Sequence, residues 1–148
     1  MNLKQYDFND YVNESVGKKQ IYLHHTAGTG TPQGVFSMWQ KNSARIATCV
    51  VIGPVSYTGR EVKDVIEVPF KKYRYWENYT DAQIESTREL LLLWKDKYGI
   101  PLSYNEDIWD VSDRALKGEP GVFTHNSVRS DKVDVYPHPK LIEMLKSL

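Results

Sequence analysis

Four histidines are present in the 148-residue chain, and two of them stand where side chains can converge. His24 ends the alternating stretch QIYLH at 20–24, just before the loop HHTAGTGTP. His125 follows the apolar lead-in Gly121–Val122–Phe123 and lies in FTHNSVRSDKVDVYP, residues 123–137, whose valines fit neither a helical nor a strand repeat. Loops carry chemistry more often than packing, and this one also holds Lys132 and Asp134. Two imidazoles and a carboxylate are a donor set suited to catalytic zinc, which commonly takes three protein ligands and leaves a fourth position for water. His24, His125 and Asp134 supply such a set. The spacing of His125 and Asp134 suits a loop folded back on one ion. It also suits a loop whose polar residues simply cap its own surface.

The bulk composition narrows the field. A chain of this length is expected to form one domain, 1–148, with a core that needs no covalent staples. Formal charge is zero, so there is no basic footprint for nucleic acid. The single cysteine, Cys49, rules out an internal disulfide framework and reads as a buried, inert thiol in ATCVVIG. No run approaches the ~20 apolar residues that span a bilayer. The polar, acidic start MNLKQYDFNDYVNE is unlike a secretory signal, which places synthesis in a cytoplasm.

The elements that must position these residues follow from pattern. Ile21 and Leu23 share one face of a short strand at 20–24. Thr31–Pro32 marks a helix start, with Val35, Phe36 and Trp39 on one face. The runs IATCVVI at 46–52 and EVKDVIEV at 61–68 read as strands. The clearest helix is expected from Asp81 to Tyr98, with Thr80 and Gln83 at capping-box spacing and Gly99 and Pro101 ending it. Its inward stripe is expected to be Ile84, Thr87, Leu91, Trp94 and Tyr98. A helix within NEDIWDVSDRAL and another in PKLIEMLKSL complete an α/β pattern: a central, mostly mixed sheet flanked by helices. His138, beyond the loop, is expected to be solvated.

LHHTAG at 23–28 together with THNSVRSDKVDVYP at 124–137 resembles the type-2 N-acetylmuramoyl-L-alanine amidases, the zinc amidases of phage endolysins, related in fold to the peptidoglycan recognition proteins. The Trp39 helix, the ATCVVIG strand and the YTDAQIESTRELLLLW helix lie between the two motifs in the family's order. The resemblance implies zinc held by His24, His125 and Asp134, with Lys132 assisting catalysis and His25 a neighbour rather than a ligand. The bond cut would be the amide joining the lactyl group of N-acetylmuramic acid to L-alanine. The implied setting is an endolysin that collects in the host cytoplasm and acts on the cell wall without inserting in a membrane.

Two features depart from the family. Thr48 stands where relatives often carry a tyrosine. After VVIG the chain passes directly to PVSYTGREVKDVIEVPF, without the segment that normally brings the general-base glutamate, as though joined near Gly53–Pro54. Glu61 and Glu67 are the nearest carboxylates, and strand alternation puts both on a solvated face. A second reading is therefore a zinc-containing, catalytically inactive peptidoglycan-binding module. A third is a structural metal site that holds two distant parts of the chain together. Trp39, Trp76, Trp94 and Trp109 are candidates for a sugar-binding groove, and KKYRYWENY at 71–79 for an exposed aromatic, basic surface.

Overall fold

The computed structural model of the chain describes residues 17–24, 32–41, 79–132 and 135–148. The described elements are β1 (Gln20–Leu23), α1 (Pro32–Gln40), α2 (Asp81–Tyr98), a 3-10 turn (Glu106–Trp109), α3 (Asp113–Leu116), β2 (Gly121–Thr124), a second 3-10 turn (His125–Ser127) and α4 (Pro139–Lys146). Helices and a two-stranded parallel sheet give the α/β class in its coarse form. The mixed sheet expected from the sequence rests on the runs at 46–52 and 61–68, which lie outside the described residues, as do the junction at 53–54, Thr48 and Cys49.

The sheet pairs two segments far apart in the chain. Gln20 stands opposite Gly121, Ile21 opposite Val122, Tyr22 opposite Phe123 and Leu23 opposite Thr124. All four residues of β2 are buried. A parallel strand covered on both faces shows no alternation, so GVFT carried no strand signature in the sequence and read only as an apolar lead-in. Phe123 is completely enclosed and, with Ile21, Leu91, Ile108, Val122 and Leu145, forms the core beneath the strand ends.

The long helix keeps its expected limits because both ends are determined locally. Thr80 has extended backbone, and its hydroxyl accepts from the Gln83 N–H at 3.2 Å. Gln83 Oε1 in turn accepts from the Thr80 N–H at 2.9 Å. Together they satisfy two of the donors a helix start leaves open. At the other end Gly99 takes φ 67°, a left-handed conformation that favours glycine, and its N–H reaches the Lys95 carbonyl at 2.8 Å. Leu90 and Leu91 are buried, while Ile84, Thr87 and Trp94 are half-buried. Tyr98 departs from the expected inward stripe. It is 41% exposed because the final turn, residues 95–99, projects into solvent, where Lys97 Nζ lies over the Tyr98 ring.

The helix expected in NEDIWDVSDRAL is two short pieces. Asp110 is extended, its carboxylate accepts from the Val111 N–H at 2.9 Å, and Ser112 caps a new turn by accepting from Ala115 N at 3.3 Å. Side chains that offer the backbone a local acceptor interrupt one helix and start another. In α4, Leu141, Met144 and Leu145 are buried at helical spacing, as the sequence implies.

His138 is a correction. It is not solvated but 2% exposed, and it caps α4 by accepting from the Lys140 N–H through Nδ1 at 3.2 Å. Tyr79 and Tyr136 flank its ring at centroid distances of 5.5 and 5.7 Å. Those partners come from the approach to α2 and from the loop itself, which local sequence around His138 does not reveal. Burial, followed by the neighbouring Lys140 charge, lowers its pKa.

The tryptophans divide similarly. Trp39 is buried with Val35 on α1, and Trp94 packs against the core. Trp109 is buried and donates to the Tyr104 hydroxyl at 2.9 Å. Trp76 and residues 71–78 lie outside the described residues. Among the described residues, no helix is long and apolar enough to cross a membrane.

Candidate metal centre

The parallel register explains how two distant histidines meet. Leu23 and Thr124 are the last paired residues, so His24 and His125 each follow at the next position, beyond the same end of the sheet. Their Nδ1 atoms stand 3.1 Å apart, with ring centroids 5.0 Å apart and ring planes at 60°. His24 is exposed and His125 half-buried, so the pair is reachable from solvent while one ring is held by the core.

Two ring nitrogens at this distance cannot both present bare lone pairs without repulsion. Either one carries a proton and donates to the other, or a cation lies between them. Tetrahedral zinc with Zn–N bonds of ~2.0–2.1 Å separates its ligand nitrogens by ~3.3 Å. The observed 3.1 Å is close to that edge, and a pair of neutral imidazoles is suitable chemistry for zinc. Two of the three expected donors thus stand at a spacing compatible with one zinc ion.

The third expected ligand, Asp134, and the neighbouring His25 lie outside the described residues. Among the described residues, no group of three or more His, Cys, Asp and Glu side chains comes together as a cation site. Lys132 is described and half-buried; its N–H closes a turn onto the Arg129 carbonyl at 3.4 Å. The Asn126 side-chain amide donates to the Val135 carbonyl at 3.4 Å, joining the start of the loop to the residue after Asp134.

Arg129 and Asp131 form a two-pronged ion pair at 2.9 and 2.7 Å on the surface of this loop. The hydrogen bond from Arg129 lowers the Asp131 pKa, and the same contact raises that of Arg129. These charges neutralise one another in solvent, as expected for loop residues.

Sequence reasoning did not single out the polar groups beneath His125. Thr124 and Ser127 are both fully buried. Their side chains and backbones form a reciprocal box around the turn, with Ser127 Oγ accepting from Thr124 N at 3.0 Å. Both hydroxyls also donate to the Ile108 carbonyl, Ser127 at 2.9 Å. The available signal was their three-residue spacing, the same as that of Thr80 and Gln83. Compared with protein-family models, curated protein sequences and solved structures, the chain matches none.

Proposed function

We propose that the chain is a zinc-dependent amidase acting on peptidoglycan, with the peptidoglycan-recognition type of α/β fold. The observation that carries this reading is the 3.1 Å approach of His24 Nδ1 and His125 Nδ1 beyond one end of β1 and β2. The order of LHHTAG and THNSVRSDKVDVYP supports the same assignment.

In this reading His24, His125 and Asp134 hold zinc, and Lys132 serves catalysis from the same loop. When bound, the metal supplies Lewis acidity and brings the ionisation of water to near neutral pH. Water adds to the lactyl carbonyl carbon, the C–N bond breaks, and the L-alanine nitrogen leaves as an amine with one of the water's protons. The Lys132 ammonium stabilises the negative charge that grows on the carbonyl oxygen. The substrate is the muramyl peptide of a bacterial wall, and the setting is that of an endolysin released from the host cytoplasm at lysis.

The test is release of L-alanine amino groups from purified peptidoglycan, with zinc and after chelation. The expected result is release that requires zinc, is lost in His125→Ala together with the metal, and falls in Lys132→Ala while metal binding remains. Zinc binding and sedimentation with insoluble wall, without new amines, would instead establish a recognition module.

A further inference from the structure

The geometry points to Thr124 and Ser127 as positioning residues that fix His125 for a divalent metal by tying both sides of its turn to one buried carbonyl, Ile108 O. This inference rests on the reading of His24 and His125 as metal ligands. His125 itself begins a 3-10 turn of only three residues, which has little stability of its own. Its placement must therefore come from its neighbours. Thr124 precedes it and Ser127 lies two positions after it; both are fully buried, and both hydroxyls converge on Ile108 O.

The clamp has further connections on each side. Ser127 Oγ also accepts from the Thr124 N–H at 3.0 Å, closing a ring of hydrogen bonds around the His125 backbone. The Ser127 carbonyl accepts from Ser112 N at 3.0 Å, and the Ser112 hydroxyl donates to Asp107 at 2.6 Å. Val128 N and Arg129 N reach only long contacts, 3.4 Å each, to the His125 and Asn126 carbonyls. The turn is thus held firmly beneath the imidazole and loosely after it. A ligand fixed in advance binds its metal without first losing backbone freedom, and groups that orient ligands typically account for roughly 10- to 100-fold in metal affinity.

Thr124→Val removes one hydroxyl with little change in shape, and Ser127→Ala removes the other. Thr80→Ala is the control: it removes a hydroxyl that caps α2 and takes no part in the hydrogen bonds around the His125 turn. Zinc affinity is read by competition with a chromophoric chelator, and the melting temperature of each metal-free variant is measured beside it.

Thr124→Val and Ser127→Ala should each weaken zinc binding about 10-fold or more, and Thr124→Ser should restore it. Thr80→Ala should lower the melting temperature but leave affinity within twofold of the parent. If Thr124→Val and Ser127→Ala both keep the parent's affinity, the clamp has no positioning role. If Ser127→Ala does not fold, Thr124→Val and its serine rescue decide the matter alone. If His125→Ala binds zinc as tightly as the parent, the ligand reading is wrong and the clamp's role falls with it.

Discussion

The backbone N–H of Lys140 donates to Nδ1 of His138 at 3.2 Å, so a buried imidazole must offer a lone pair to begin α4. Protonation puts a hydrogen on that nitrogen and replaces an acceptor with a second donor facing the Lys140 N–H. The nearby charges are Lys140 itself and Asp81 from α2, which are joined to each other; Tyr79 and Tyr136 supply the other packed faces.

The sign of the pH effect follows. The folded pKa of His138 lies below its ordinary value of 6.5, so on acidification the unfolded chain takes up the proton first. The contribution is fully present above about pH 6.5 and is lost as pH falls towards the folded pKa. Urea unfolding between pH 7.5 and 5 should show falling stability. His138→Asn, which retains a good helix-capping group without the titration, should flatten that limb. An unchanged slope would remove His138 as its source.

At the start of α2, Thr80→Ala removes the hydroxyl half of a reciprocal cap. The expected loss is about 1 kcal/mol, which lowers the melting temperature by roughly 2–4 °C in a chain of this size. Thr80→Ser should retain most of the stability. Thermal melts followed by far-UV circular dichroism read the difference.

The core beneath the histidines is more sensitive. Leu91 is 1% exposed and packs within the same cluster as Phe123 and Ile108. Leu91→Ala should cost about 2–5 kcal/mol through lost burial and the cavity left behind. By contrast, Asp131→Asn breaks only the exposed pair with Arg129 and should leave the urea midpoint within error of the parent.

Zinc should stabilise the folded chain by mass action, by about 2.7 kcal/mol at a free concentration 100 times its dissociation constant. His24→Ala and His125→Ala should each abolish that increment. The double variant should lose no more of it than either single variant, because the two nitrogens serve one ion. A zinc-induced rise in melting temperature that survives both substitutions would place the metal elsewhere.

Local signals in the sequence were sufficient for α2 and α4. Thr80, Gln83 and Gly99 act within one turn of their own positions, and Leu141, Met144 and Leu145 repeat with the helix. β2 was not legible because its four residues are all buried and its partner lies about a hundred residues earlier in the chain. His138 was misread for a related reason: its burial comes from Tyr79, far from it in sequence. At the site, residue type and motif order picked out His24 and His125, but only the register of β1 with β2 explains their approach. The Thr124–Ser127 clamp needed Ile108, whose carbonyl has no identity in a sequence.

The pairing of Gln20–Leu23 with Gly121–Thr124 also determines when the two imidazoles can meet during folding. It is a contact of high sequence separation, formed only after the chain closes a loop of about a hundred residues, and such contacts slow folding. Neither half of the sequence can assemble the pair on its own. An ion held between His24 and His125 would therefore report completed topology rather than local order, and would act as a removable clasp on the longest loop that the described strands close.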